Sequence, residues 1–564
     1  MTAFLELPTE LLCRCLELLD HVSLCACRSV CHELKQTIDA DTQCQYTLAL
    51  AGAGLEDVPI SGPGWSTGEK LGAVRRYDRA WRNLEYSSHR TYPSASGGLW
   101  ELYNGVWGHD VEDGHVFDFI QLPSEIRGIP ERRWRVRLDV TPRDFTFDPT
   151  HDLLVVVVPH NPNWIPDDDS DSDEEDDNPE PGRVSVHLRT LSDGLRHPHA
   201  KTAELEYPST LNRLLMWSYS IRICGRHLGV YRYSRSGEAE LTVWNWIEGK
   251  RCLSLWGLNT IKGFMFLDEG KIIVASLVSP NSPKAAVYTY SSLIIYSLSD
   301  SAAHLETMMD VDEPAGSVYD TPFLVAIQMP RIPIRNDTRD LQIHSDPSPY
   351  VPVDSTSTTP VPFRLNPHDR MLAVHNLLFW EEQPTTKTAM VPFSFIHKCV
   401  AESEPGAILD ARLWTQTAVH LPEHGRWSVW VCFVYGMRYV HPTVIQDEDG
   451  KYYISIADFH EVRRKVARAE QEDSEEKSQM IQPVRLLLPE ALQNASNRSM
   501  SVMISEDGIV LLSRDLHDRK ANIQLIILYV NKVLSVPLEL SLYARFERAE
   551  LVQLAHPLID ARCM

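Results

Sequence analysis

The first 45 residues carry apolar side chains at three- and four-residue spacing, which predicts three short amphipathic helices. Pro8 stands at the start of the first helix, where its missing N–H costs nothing. Asp20 and His21 interrupt the pattern, and Ser23 is placed to cap the second helix. Helices this short bury little surface by themselves, so the segment is expected to dock on a partner. The apolar positions are, helix by helix, Leu12, Cys15, Leu16 and Leu19; Leu24 and Cys27; and Val30, Cys31, Leu34 and Ile38.

The next stretch, residues 46–95, is predicted to be a helical linker. The apolar segment from Tyr46 to Leu55 continues the helical region, and the sequence Gly-Pro-Gly at 62–64 breaks it. From Thr67 a longer helix is predicted, because apolar residues recur every three or four positions. The opposite face carries four arginines, which predicts a solvated surface on a bracing helix. These arginines are Arg75, Arg76, Arg79 and Arg82.

After about residue 95, β-branched and aromatic runs replace helical periodicity, so the chain is predicted to be mainly β with an α-helical N-terminus. Six segments share an apolar strand, a polar turn and a second apolar strand. A hairpin repeated in this way predicts a degenerate β-propeller of six or seven blades. A pair of β-sandwiches is the alternative fold. The turns lie between Phe147 and Leu153, Ile223 and Leu228, Phe266 and Lys271, Leu365 and Met371, Gln446 and Lys451, and Ile504 and Ile509.

One stretch resembles a WD-type repeat. Ile221 and Phe264 start equivalent hairpins 43 residues apart, within the ~40–45 residues of a WD blade. Between them, Val243-Trp244-Asn245 resembles the end of such a blade, with asparagine where aspartate is usual.

Long polar insertions interrupt the β region at about 160–182, 335–360 and 466–480 and are predicted to be disordered. The first contains nine acidic residues in the eleven from Asp167 to Asp177, a run that repels itself and does not fold alone. Ser170 and Ser172 each precede an acidic residue by three positions, which resembles an acidophilic casein-kinase-type phosphorylation site. An inert solubilising loop is the alternative.

The net charge of −23 argues against nucleic-acid binding, which needs a basic face. The N-terminus lacks the pattern of a secretory signal, and no apolar run reaches the about 20 residues that span a bilayer. A cytoplasmic or nuclear protein without membrane contact is therefore expected. The pairs Cys13/Cys15 and Cys25/Cys27 lack the spacing of zinc modules, so no metal or other cofactor is expected.

The start of the chain resembles an F-box. The resemblance extends through the third predicted helix and rests on Leu7-Pro8-x-Glu10-Leu11-Leu12, Leu19-Asp20, Ser23-Leu24 and Arg28-x-Val30-Cys31-x-x-Leu34. It implies a Skp-type adaptor as partner, which connects the family to a cullin scaffold and a ubiquitin-conjugating enzyme. Cys15 departs from the family, which more often has isoleucine there. By this resemblance the adaptor-facing or motif-core residues are Leu7, Pro8, Leu11, Leu12, Leu16, Leu24, Val30 and Cys31. A plain helical cap on the larger domain is the alternative.

These elements divide the chain into an F-box-like motif (1–45), a helical linker (46–95) and a propeller-like domain (96–564). The layout resembles the F-box families expanded in basidiomycete, mushroom-forming fungi. It implies a non-enzymatic substrate-recognition subunit of an SCF-type ubiquitin ligase, with an unknown protein as target. A propeller scaffold with a vestigial F-box is one alternative, and a propeller hydrolase is another. No H-E-x-x-H or Walker motif is present, so no catalytic residue is assigned.

Overall fold

A computed structural model describes most of the chain. The described residues are 5–58, 65–84, 88–94, 98–111, 114–124, 129–159, 184–207, 217–234, 237–277, 291–298, 316–317, 321–330, 337–350, 363–380, 383–421, 424–425, 432–460, 483–488, 493, 498–515 and 523–529. The predicted insertions at 160–182 and 466–480 lie outside them. Among them, no helix is both long and apolar enough to cross a bilayer.

Five helices form the N-terminal part, which we call the helical module (residues 5–58 and 65–84). The predicted first, second and third helices and the bracing helix are all present. The helices are α1 (Thr9–Glu17), α2 (His21–Arg28), α3 (His32–Ala40), α4 (Thr42–Ala53) and α5 (Thr67–Asn83). The short strand β1 (Leu55–Asp57) follows α4. The predicted border at residue 45 therefore falls inside α4, so the motif and the linker share a helix.

Caps explain where these helices start and stop. Pro8 occupies the N-cap of α1. The cap of α2 is Asp20, whose carboxylate accepts the Ser23 N–H at 2.7 Å, so the prediction that Ser23 is the cap was wrong. Helix α4 ends at Gly54, whose φ of +68° is a left-handed conformation that glycine adopts at little cost. Ser66 and Glu69 form a capping box at the start of α5.

Six blades of a β-propeller follow, each built from strands that lie close together in the chain. Blade 1 contains β3 (Trp100–Tyr103), β4 (Val106–Asp110), β5 (Val116–Gln121) and β6 (Arg132–Arg137). Blade 2 contains β7 (Asp144–Asp148), β8 (Leu153–Pro159), β9 (Val184–Thr190) and β10 (Glu204–Tyr207). Blade 3 contains β11 (Trp217–Cys224), β12 (His227–Ser234), β13 (Glu238–Asn245) and β14 (Lys250–Leu258), with β18 (Gly316–Ser317) at its edge.

The other three blades carry small additions at their edges. Blade 4 contains β15 (Ile261–Asp268), β16 (Lys271–Ser276), β17 (Ser292–Ser297), β19 (Val325–Gln328) and β24 (Ala407–Leu409). Blade 5 contains β20 (Asp337–His344), β22 (Met371–Trp380), β23 (Gln383–Pro392), β25 (Val419–His420) and β26 (His424–Gly425). Blade 6 contains β27 (Val434–Tyr435), β28 (Arg438–Val440), β29 (Ile445–Gln446), β30 (Tyr452–Asp458) and β31 (Val484–Leu487). Helices α6 (Phe393–Glu402) and α7 (Ala411–Thr417) lie between β23 and β25.

A further four-stranded sheet joins the two ends of the β region. This closing sheet pairs β2 (Ser88–Ser94) with β34 (Ile523–Tyr529), followed by β33 (Gly508–Asp515) and β32 (Arg498–Ile504). The first strands of blades 1 to 5 contact one another in succession, β22 of blade 5 contacts β27 of blade 6, and β27 and β28 contact β32. Tyr92 of the closing sheet donates to Glu131 beside blade 1 at 2.8 Å, which completes the ring. The propeller prediction is thus confirmed, and the alternative of two β-sandwiches is wrong.

Five of the six predicted hairpins are present, and the fourth is wrong. Strand β21 (Phe363–Leu365) pairs with β1 of the helical module and leaves β22 to pair with β20 and β23. Two other predictions need correction. Within the expected flexible segment 335–360, residues 337–344 form β20, the first strand of blade 5. The last part of the predicted linker is strand β2, which pairs with β34 of a distant sheet.

Large apolar residues fill the space between neighbouring sheets. Phe264 of β15 packs against the backbone of β12, where a Cβ on Gly229 would lie 2.5 Å from the Phe264 ring. Only glycine allows this approach, because any other residue at 229 would displace the ring. Blades 3 and 4 therefore pack at close range.

Candidate functional site

Helix α1 has two apolar faces, and one of them lacks a partner among the described residues. Leu12 and Leu16 are 6 % and 1 % exposed and form the core of the helical module. Leu11 and Leu18 are 53 % and 87 % exposed. Pro8, Leu11, Cys15 and Leu18 follow one another every three or four residues and are all exposed, so they form one stripe. The prediction that Cys15 belongs to the buried face of α1 was therefore wrong.

The structure divides the eight residues predicted from the F-box resemblance into three groups. Pro8, Leu11 and Val30 are exposed, with Val30 at 52 %. Leu7 and Cys31 are half-buried. Leu12, Leu16 and Leu24 lie in the core of the helical module with Leu34, Ile38 and Cys44. Sequence reasoning missed Leu18 and Val22, which are also exposed. Leu18 follows Leu11 by two helical turns and so shares its face, and Val22 lies two positions from buried Leu24 and so points to the opposite side of α2.

Polar contacts hold the small core of the helical module in place. Arg28 in α2 is buried, and its Nε lies 2.5 Å from Asp39 Oδ1 of α3. Cys44 is buried, and desolvation together with Asp41 raises the pKa of its thiol to about 12. Cys13 is half-buried and Cys15 is exposed, because residues two apart in a helix point to nearly opposite sides. Among the described residues, no group of three metal-ligating side chains lies close together.

Helix α5 joins the helical module to the propeller. The Tyr77 hydroxyl donates to the Glu506 carbonyl at 2.9 Å and accepts from Arg438 Nη1 at 3.3 Å. The Arg438 guanidinium stacks over the Trp81 ring at 4.5 Å, and its Nε lies 3.5 Å from Asp458. Burial raises the pKa of Tyr77 to about 12. The junction therefore combines aromatic packing with a buried cation and links α5 to blade 6 and the closing sheet.

On the other side of α5, the predicted solvated face is present in part. Arg76, Arg79 and Arg82 are exposed. Arg75 is half-buried and donates to Gln45 of α4 at 3.0 Å. One arginine of the four thus ties α5 to the rest of the helical module.

The helical module lies at one end of the propeller. Tyr77 contacts the turn between β32 and β33, and the Gly54 carbonyl accepts the Asn366 N–H at 3.0 Å. We call this end, formed by the turns between the first and second strands of the sheets, the turn face. The second strands β8 and β16 run antiparallel to the first strands and end at Pro159 and Ser276, at the opposite end of the propeller. Residues 160–183 connect β8 to β9 in the chain. The acidic run and Ser170 and Ser172 belong to this connection and lie outside the described residues.

A cavity lies on the propeller axis near the turn face. Its wall comes from the first strands of blades 1 to 4, and residues 345–349 form its floor. The floor is held on several sides: the Ser348 hydroxyl donates to the Ile223 carbonyl at 2.9 Å, and Gly436 N–H donates to the Asp346 carbonyl at 2.7 Å. Arg370 donates to the Pro347 carbonyl at 2.9 Å. The lining residues are Glu101, Tyr103, Thr146, Phe147, Ile221, Arg222, Ile223, Met265, Phe266, Ser345, Asp346, Ser348 and Pro349.

Three charged groups face this cavity. Arg222 Nη1 lies 3.7 Å from Asp346 Oδ1, longer than a hydrogen bond. Desolvation raises the pKa of Asp346 and raises that of Glu101 to about 8, although Arg222 opposes both shifts. Asp144, two residues from Thr146 on the same strand face, has its pKa raised to about 7 by burial. Arg370 also lowers the pKa of Asp346, so burial, more than a shortage of positive charge, raises the pKa values of these carboxyl groups.

Tryptophan and histidine side chains elsewhere in the β region have structural roles where they are described. Trp107 is buried and stacks on Trp100 at 5.1 Å, so this pair belongs to the core. His441 contacts Thr443, and His460 lies 3.5 Å from Asp369. Trp164 and His517 lie outside the described residues.

One motif escaped the sequence reasoning. Residues 64–68 read G-x-S-x-G, the letters of a hydrolase nucleophile elbow. Ser66 is the N-cap of α5, and its hydroxyl lies 2.7 Å from a Glu69 carboxylate oxygen. The serine therefore caps a helix, and its geometry gives no sign of an activated nucleophile.

Comparison with known proteins identifies one domain. A family model for the F-box domain matches residues 4–43. No curated protein matches the chain. Among solved structures, the crystal structure of polysaccharide lyase Uly1 has 8 % sequence identity over 77 % of this chain and 90 % of that chain, with a TM-score of 0.38. That likeness is too distant to support an argument.

Proposed function

From an F-box domain at residues 4–43 followed by a six-bladed β-propeller, we propose that the chain is the substrate-recognition subunit of an SCF-type ubiquitin ligase. The F-box would bind a Skp-type adaptor and, through it, a cullin scaffold. The propeller would bind the target protein. The observation that supports this most directly is the exposed apolar stripe of α1 within a family-matched F-box.

The stripe is suited to an adaptor because burying its apolar side chains in an interface would lower the free energy. Leu11 and Leu18 leave large apolar surfaces in water, and burying each would contribute about 1.5–3 kcal/mol. Pro8 and Val30 extend the apolar surface at either end of the F-box. The adaptor-facing residues we propose are therefore Leu7, Pro8, Leu11, Cys15, Leu18, Val22, Val30 and Cys31. Leu12, Leu16 and Leu24 would act indirectly, by holding α1 and α2 together.

The junction suits a receptor that works by proximity. An adaptor subunit makes no bond itself and accelerates transfer by orienting the target toward the activated ubiquitin. Tyr77, Trp81 and Arg438 fix α5 on the propeller, and Arg75 fixes α5 on α4. The target would then be held at a set position relative to the adaptor. We place target binding at the end opposite the turn face, because the helical module lies on the turn face.

The test is binding of the full chain to a purified Skp-type adaptor. The double variant Leu11→Asp/Leu18→Asp is expected to weaken binding at least about 100-fold, because each change places a carboxylate in an apolar interface. The matched control is Leu195→Asp/Leu258→Asp, two leucines of similar exposure on blades 2 and 3. Leu12→Asp is unsuitable, because Leu12 lies in the core and the change would unfold the module.

Wild-type and control binding, with loss in the stripe variant, would support the proposal, and ubiquitylation assays with cullin and a conjugating enzyme would follow. Absence of binding by the wild type would refute it and favour a propeller scaffold with a vestigial F-box. A histidine converging with a carboxyl group on the axis would favour a propeller hydrolase, and the described residues that line the axial cavity include no histidine.

A further inference from the structure

The axial cavity is small and fixed in shape, and apolar side chains surround its few polar groups. Its innermost free space has room for about one or two water-sized groups. The floor residues 345–349 are tied to blades 3 and 6 and to Arg370, so the cavity does not depend on a loose loop.

Two carboxyl groups stand among the residues that line the cavity. Glu101 and Asp346 supply the carboxyl oxygens, Arg222 faces the cavity beside them, and Arg370 lies near Asp346. Ser345 is 1 % exposed, lines the cavity, and its hydroxyl has no hydrogen-bond partner among the described groups. A buried hydroxyl without a partner is costly, which indicates that something absent here bonds to it. Two carboxyl groups and an orphaned hydroxyl together call for a ligand that donates.

The size and chemistry of the cavity select among possible donors. A primary ammonium has three N–H donors, carries one positive charge and is about the size of a water molecule. A guanidinium is planar and larger, and it needs a wider site to use its five donors. Calcium takes six to eight oxygen ligands, whereas the cavity lining provides two carboxyl groups.

We propose that the axial cavity binds a primary ammonium group, held by Glu101, Asp346 and the hydroxyl of Ser345. The ammonium would donate to the Asp346 carboxyl group, which lies 3.7 Å from Arg222 and so beyond hydrogen-bond distance of it, and to the Glu101 carboxyl group. Its source is either a lysine side chain or free amino terminus of a bound protein, or a small amine. A protein source would make the cavity part of target recognition and rests on the proposed function, whereas a small amine does not.

The first experiment uses the full chain and four probes at matched ionic strength: n-butylammonium, tetramethylammonium, butanol and potassium chloride. Binding is measured by calorimetry at pH 8. Only n-butylammonium is expected to bind, because it alone combines the charge with N–H donors. Equal binding of tetramethylammonium, or no binding of n-butylammonium, would overturn the proposal.

Variants test the residues. Glu101→Gln and Ser345→Ala are expected to weaken n-butylammonium binding at least about tenfold, as expected for loss of a hydrogen bond to a charged group. Asp410→Asn, at a carboxylate 70 % exposed in its side chain and remote in the chain, is the control and should bind as the wild type does. Glu101→Gln keeps the shape of the side chain, and Ser345→Ala removes a single atom, so at least one folded variant is expected. Unchanged affinity in either folded variant would refute the assignment of that residue and overturn the site as proposed.

A second arm identifies the source. Three pools of peptides with otherwise random sequence are compared at matched net charge. The first has a central lysine, the second a central norleucine, and the third a free amino terminus. Selective retention of the lysine or free-terminus pool on the wild type, lost in Glu101→Gln, would assign the ammonium to a protein. Retention of no pool, with n-butylammonium still bound, would assign it to a small amine. Neither outcome depends on adaptor binding, so failure of this site and failure of the ligase proposal are distinguishable.

Discussion

Tyr77 offers the sharpest test of the idea that the helical module and the propeller form one rigid unit. Its hydroxyl bonds to the Glu506 carbonyl and to Arg438, and its ring lies in a core shared by α5, blade 6 and the closing sheet. Tyr77→Phe removes both hydrogen bonds and should cost about 1–2 kcal/mol. Tyr77→Ala also removes the ring and should cost about 3–5 kcal/mol. Arg79→Ala, at an exposed position of the same helix, is the control and should stay within about 0.5 kcal/mol.

The assay is native-state hydrogen exchange on the full chain, followed peptide by peptide. If α5 unfolds together with its neighbours, Tyr77→Ala should accelerate exchange in α5, in β27 and β28, and in β32 and β33 by similar factors. Acceleration confined to α5 would show that the helix opens alone. That result would refute the rigid junction and, with it, the argument that the adaptor fixes the position of the target.

Three other perturbations follow from the structure. Burial raises the pKa of Glu101 to about 8, so between pH 4.5 and pH 8 the folded protein holds a proton that the unfolded chain releases. The free energy of unfolding should therefore fall as the pH rises through this range, by at most about 5 kcal/mol. Glu101→Gln should remove this loss when urea titrations at pH 5 and pH 9 are compared. Gly229→Ala should lower the free energy of unfolding by about 1–3 kcal/mol, because the new Cβ would meet an aromatic ring of the next blade. Gly52→Ala in α4, with open space around it, should be neutral or stabilising by up to about 1 kcal/mol. Thermal denaturation measures both. Iodoacetamide at pH 8 should alkylate exposed Cys15 in the folded protein and buried Cys44 only after denaturation, as read by peptide mass spectrometry; early labelling of Cys44 would contradict the packing of the helical core.

Local patterns in the sequence predicted the elements well wherever neighbours in the chain are also neighbours in space. The helical spacing of Leu12 and Leu16 predicted α1, and the turn after Ile223 predicted a hairpin, because both signals depend on a few adjacent residues. The hairpin expected after Leu365 failed for the opposite reason. Strand β21 has its partner in β1, which belongs to the helical module at the far end of the chain, and nothing local reveals that choice.

The candidate sites show the same division. The F-box motif is contiguous, so its residues were found, but the sequence did not separate exposed Leu11 from buried Leu12 or indicate Leu18. The axial cavity was invisible, because Glu101, Arg222 and Asp346 come from three distant parts of the chain. Only the closure of the ring brings them together. Charge at such a centre is a property of the fold, and no spacing rule predicts it.

The closing sheet fixes the order in which parts of the protein can fold during synthesis. Strand β2 ends at Ser94, and its partner β34 begins only at Ile523. At the ~5–20 residues per second of protein synthesis, β2 waits on the order of 20–80 seconds for its partner. During that time all the residues that form the core of α1 to α4, the last of which is Leu48, have already been made. The F-box helices that would bind the adaptor are thus synthesised long before the propeller that would bind a target can close. Until the last strands are made, the unfinished ring exposes strand edges that need protection from aggregation.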